Sequence, residues 1–112
     1  MKEAQLTAAG IVMDVMEGNN LNKVFQKYSK ENKINLKDIS QIKDLVFGTL
    51  RSYGKTKFVI NKLVKRTPSN ALILTLLHIA LFQLISNRSN SYTVVDQAVS
   101  ASNMINKRHT KF

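Results

Sequence analysis

The sequence predicts an all-α domain, a compact bundle of about six helices. Three observations lead there. Apolar residues recur at helical spacing along nearly the whole chain, and strand-like alternation is almost absent. One Pro and four Gly in 112 residues supply little of the turn chemistry that a many-stranded β fold needs. Leu, Ile, Val and Phe together number 35, enough for a packed core despite a charge of +10. The length suits a single domain over residues 1–112, and no stretch reads as a linker.

The elements follow in order. The pattern predicts a first helix over Glu3 to Glu17, with Leu6, Ala9, Met13 and Met16 on one face. Gly18 can end it in the left-handed conformation. Asn20 is placed to cap a second helix over Leu21 to Lys30. Leu21, Val24, Phe25 and Tyr28 form its apolar stripe, and Lys23, Lys27 and Lys30 lie opposite. Glu31 to Asn35 reads as a polar turn. A third helix is expected over Lys37 to Ser52, with Ile39, Ile42, Leu45 or Val46, Leu50 and Tyr53 inward. Gly48 in its middle costs about 1 kcal/mol relative to Ala, so a glycine here points to a close helix crossing. Gly54 is expected to end this helix.

A fourth helix is expected over Lys55 to Lys65, with Val59 over Leu63 and Ile60 over Val64. Pro68 breaks the chain. A fifth, over Ser69 to Ser86, is apolar nearly all round and is expected at the core, covered on all sides. A sixth is expected over Tyr92 to Asn106, with Val94, Ala98, Ala101 and Ile105 on one face. Thr93 and Asp96 stand at capping-box spacing near its start. The end, Lys107 to Phe112, reads as a tail closing on an apolar residue.

Composition removes several kinds of function. With no Cys there is no disulfide framework, Cys-ligated zinc or thiol nucleophile. No phosphate-cradling glycine loop, dinucleotide fingerprint or H-E-x-x-H pair occurs. His78 lies within the apolar fifth helix and reads as a core histidine; His109 lies in the basic tail. No close carboxylate pair suggests acid–base work. No catalytic residue, metal ligand or cofactor site is therefore expected in this chain. The apolar run Ala71 to Ile85 is too short and too interrupted to span a membrane, which takes about 20 apolar residues. No targeting segment is seen at the N-terminus, so the cytoplasm is the expected location.

The charge points to a partner. Lys+Arg number 17 against Asp+Glu 7, with pI near 10.1, which favours nucleic acid or another anionic surface. No acidic residue lies between Asp44 and Asp96. Within that interval Arg51, Lys55, Lys57, Lys62, Lys65 and Arg66 cluster on the end of the third helix and along the fourth. These six are the candidate nucleic-acid-binding residues, and the resemblance given below implies RNA as the nucleic acid. A second group, Lys23, Lys27, Lys30, Lys33 and Lys37, is diluted by Glu31 and Asp38. Only four of the 17 basic residues are Arg, so recognition of backbone and shape is expected rather than of base edges. Tyr53, Tyr92 and Phe58 are candidate base-stacking rings, although aromatics at helical spacing more often belong to a core.

Leu45 to Arg51, L-V-F-G-T-L-R, resembles the L-x-F-G-x-L-R stretch of NusB-like domains. Three more segments agree in order: Phe58 to Leu63, Leu76 to Leu84 with its aromatic-Gln-Leu ending, and Tyr92 to Val99. Together they most resemble the N-terminal domain of RsmB/Sun-type 16S ribosomal RNA cytosine-C5 methyltransferases. The resemblance implies an all-α fold and a non-catalytic RNA-binding role beside a separate domain that uses S-adenosylmethionine. It implies 16S ribosomal RNA and that catalytic domain as partners. In the family, Lys111-Phe112 would lead into one more helix, so a fragment lacking it is expected, with the exposed surface open to dimerisation. The antitermination factor NusB itself typically opens with an Arg-rich helix; here Met1 to Met16 holds Lys2 as its only basic residue. Lys2 is the nearest counterpart of those contacts. Two alternatives accompany this reading. One is a free-standing antitermination factor that binds RNA with a ribosomal protein. The other is a protein-interaction module with no RNA role.

Overall fold

An alanine-rich helix occupies the centre. The computed structural model describes residues 2–31, 37–63, 69–86 and 90–110, without the side chains of Lys2, Ser102 and residues 104–110. Six helices follow one another: α1 Lys2–Met16, α2 Leu21–Lys30, α3 Ile39–Arg51, α4 Tyr53–Leu63, α5 Ala71–Ser86 and α6 Ser91–Thr110. The all-α expectation holds, and no strand occurs among the described residues.

The first helix buries Ala4, Gln5, Ala8, Ala9, Ile11 and Val12 and packs against α2, α3, α5 and α6. Small side chains let several neighbours approach at once. This corrects the expected stripe: Met16 is 52% exposed and Leu6 only partly buried. The helix is apolar on most sides, so spacing alone does not orient it. Gly18 ends it at φ 105, in the left-handed region where a side chain would be strained.

The fifth helix buries Leu76, His78, Ile79, Phe82 and Gln83 and packs on α1, α3, α4 and α6. The expectation that it is covered on all sides is corrected, because one flank stays open. Between it and α6 runs an open apolar groove of about 300 Å³, lined by Leu77, Leu81, Leu84, Val95 and Val99 among others. The physical reason is that α1 takes the surrounded position, so α5 keeps one flank in the open. Val94 and Ala101 of α6 are fully buried, on the expected face.

Gly48 makes the anticipated close crossing. A Cβ built there would overlap the buried Phe82 ring, so α3 meets α5 through bare backbone. A buried polar pair ties α1 to α5: Gln5 Nε2 donates to Gln83 Oε1 at 2.8 Å. Burial makes such a pair worth keeping intact, because a lone partner would lose its water without compensation.

Three asparagines start helices. Asn20 Oδ1 accepts from the Lys23 N–H at 3.2 Å, as expected. Asn70 accepts from Leu72 and Ile73, which begins α5 at Ala71 rather than Ser69. Asn90 accepts from Tyr92 at 2.9 Å and from Thr93, which makes Asn90 the cap of α6 and overturns the Thr93–Asp96 capping box. The same helix continues past Asn106 to Thr110.

Gly54 does not end α3. The chain turns at Ser52, whose N–H reaches the Gly48 carbonyl at 3.1 Å and whose hydroxyl donates to the same oxygen. Gly54 already belongs to α4. Only Ser52 stands between α3 and α4. The expected turn after Glu31, the break at Pro68 and the terminal Phe112 lie outside the described residues.

Candidate nucleic-acid interface

Helix α4 shows its chemistry by what it hides and what it shows. Thr56 and Ile60 are buried against the body of the protein, with Tyr53 and Val59 partly so. The outer face presents Lys55, Lys57, Phe58, Asn61, Lys62 and Leu63, all exposed. Lys55, Phe58 and Lys62 stand at i, i+3 and i+7, which places them on one stripe. Arg51 is exposed at the last turn of α3, where a cation also complements the helix dipole. No carboxylate occurs on α4 itself.

Four of the expected RNA-binding residues, Arg51, Lys55, Lys57 and Lys62, thus reach the surface on neighbouring turns. Lys65 and Arg66 lie outside the described residues. The backbone of Lys2 begins α1, but its side chain is not described. Chemically, the face can neutralise phosphates and offer an aromatic surface.

The three candidate rings separate. Phe58 is 63% exposed, and Lys62 Nζ lies 5.4 Å from its ring centroid. That is a cation–π arrangement within the basic stripe. Tyr53 turns inward and stacks on His78, with centroids 4.0 Å apart and planes 12° from parallel. Tyr92 is exposed, but it belongs to α6, which makes no contact with α4 among the described residues. The α4 arrangement could be read from spacing: Phe58 and Lys62 are four residues apart on an amphipathic helix.

His78 serves as the clamp beneath this face. Thr56 Oγ1 lies 2.6 Å from His78 Nδ1 and 3.1 Å from the Tyr53 carbonyl, so hydroxyl and imidazole share a buried hydrogen bond. Burial, and secondarily the Lys57 charge, hold the imidazole below its ordinary pKa, so the neutral ring is favoured. The core role expected for His78 is what the structure gives it.

The second lysine group is in a different setting. Lys23 and Lys27 line a polar depression together with Asp14 and Glu17 at the end of α1. Two carboxylates beyond Glu31 and Asp38 therefore offset that group, which leaves α4 as the more strongly basic surface. Among the described residues no three His, Cys, Asp or Glu side chains gather as a metal site. No described helix is long and apolar enough to cross a membrane.

The model described as the NusB family covers residues 2–112. No curated protein and no solved structure matches the chain. The match takes in all six helices and the four sequence segments singled out above, so the chain belongs to the NusB family.

Proposed function

We propose that this chain is a non-catalytic RNA-binding accessory domain that helps a ribosomal RNA cytosine-C5 methyltransferase engage 16S ribosomal RNA. The observation that carries the RNA role is the carboxylate-free outer face of α4, with Lys55, Lys57 and Lys62 exposed beside Arg51. Membership of the NusB family supports the same role. The methyltransferase setting rests on the four segments that resemble that enzyme's N-terminal domain, and on a first helix without arginine. In this role the chain contributes affinity and placement, and the chemistry belongs to a separate catalytic domain.

Binding of the purified chain to labelled fragments of folded 16S ribosomal RNA tests the role. If the four described cations each neutralise one phosphate, log K falls against log salt with a slope of about −3 on single-stranded segments. That is a loss of about 50-fold between about 50 and 200 mM salt. The double variant Lys55→Glu, Lys62→Glu is expected to lose at least about tenfold at low salt and to flatten the slope. Unchanged affinity in that variant would remove α4 from the interface. Tight binding to a short single-stranded RNA only when a ribosomal protein is added would move the assignment to an antitermination-type factor.

A further inference from the structure

We infer that Phe58 is a base-stacking residue, and that it directs the α4 face to RNA with an unpaired base rather than to continuous duplex. The inference deepens the proposed RNA role and rests on it.

The first ground is exposure. Phe58 keeps 63% of its surface in water on a helix whose neighbours Thr56 and Ile60 are buried. Leaving an aromatic ring in solvent forgoes hydrophobic stabilisation. The core takes its aromatic rings from elsewhere, with Phe82 buried in it and Phe25 packed against it. The second ground is its surroundings. Lys55 and Lys62 bracket it on one stripe, about 10 Å apart along the helix axis, and the Lys62 ammonium lies over the ring. Cations on both sides of a ring suit a nucleotide, which carries a flat π-face and a phosphate. The combination of a cationic track and an exposed aromatic is what single-stranded nucleic acid uses on proteins. A paired, stacked base inside a duplex offers no free face to such a ring.

The third ground is elimination among the rings. Tyr53 is occupied by His78, and Tyr92 stands on a helix that does not touch α4 among the described residues. Phe58 alone of the three candidates combines exposure with the basic stripe. Stacking is tolerant of base identity, which agrees with a face built mostly of lysines. The selection is therefore for an unpaired base of any kind, not for a sequence.

The test compares two RNAs of equal length, a hairpin with an unpaired loop and an uninterrupted duplex, against the native chain, Phe58→Leu, Phe58→Trp and Lys55→Gln/Lys62→Gln. A 2-aminopurine in the loop reports stacking directly. The native chain is expected to favour the hairpin. Phe58→Leu is expected to lose about tenfold on the hairpin, with its 2-aminopurine signal, and to bind duplex as before. Phe58→Trp is expected to keep both. The lysine variant is expected to weaken binding to both RNAs and to lower the salt slope by about 1.4. Circular dichroism of each variant confirms the fold, which an exposed ring does not hold together. If Phe58→Leu binds the hairpin like the native chain while the lysine variant is weakened, stacking is refuted and the basic face stands. If neither variant changes binding to either RNA, the α4 interface and the stacking residue fall together.

Discussion

Gly48→Ala puts the α3–α5 crossing to a direct test. In an isolated helix the change would stabilise by about 1 kcal/mol. Here the added Cβ meets the Phe82 ring, which is 7% exposed and has packed neighbours behind it. A rigid ring cannot yield as the tip of a flexible side chain can, so the cost belongs at the upper end of overpacking, about 3 kcal/mol. The net loss is about 2 kcal/mol. For a domain of this size that lowers Tm by about 8 °C. Thermal and urea unfolding followed by circular dichroism measure it. Adding Phe82→Leu makes room, so the double variant should be more stable than the sum of the single losses by about 1–2 kcal/mol. A Gly48→Ala protein as stable as its parent, or strictly additive losses, would refute the close crossing.

Three further outcomes are expected. Asn90→Ala should cost about 1 kcal/mol in urea unfolding and Thr93→Ala close to nothing, since the side chain of Asn90 caps α6; the reverse order would restore Thr93 as the cap. Gln5→Leu or Gln83→Leu alone should cost about 1–3 kcal/mol by stranding a buried amide, while the double Leu variant should cost less than the two summed; additive losses would dissolve the pair. The folded pKa of His78 lies below its ordinary value of 6.5, so the unfolded chain takes up the proton first as pH falls. Its contribution to stability should be complete above about pH 6.5 and decline below it; His78→Leu should flatten that part of the pH profile, and an unchanged profile would show that the clamp does not titrate.

The helices themselves were legible because α2, α3, α4 and α6 carry apolar residues at a helical period and α1 and α5 are largely apolar runs of helix-forming residues. The caps were legible in part. Asn20 was found because Gly18 marked the preceding stop, whereas Asn70 and Asn90 follow serines in polar runs that give no such marker. Gly54 misled because it looks like a stop, yet Ser52 turns the chain two residues earlier with its own hydroxyl. The orientation of α1 was not legible, since alanines and β-branched residues share its circumference and burial depends on which neighbours arrive. For the same reason its central place was assigned to the more apolar α5. Arg51, Lys55, Lys57 and Lys62 could be grouped from the sequence, because an acid-free run on an amphipathic helix leaves cations only one side to occupy. The sorting of Tyr53 from Phe58 needed three dimensions: the two differ in whether His78, 20 or more residues away in sequence, lies beneath them.

The shallow seat of α4 has a kinetic consequence. Among the described residues that helix packs on α3 and α5 alone, through buried Thr56 and Ile60, the Thr56–His78 hydrogen bond and one aromatic–imidazole stack, whereas α1 is enclosed by four helices. Segments with few buried contacts open first and most often. Amide hydrogens along α4 should therefore exchange with solvent through brief undocking, long before those of α1, which wait for global unfolding. Any ligand that recognises α4 only in its seated position draws on that equilibrium, so its arrival would show first as slowed exchange in Thr56 to Ile60, with α1 unaltered.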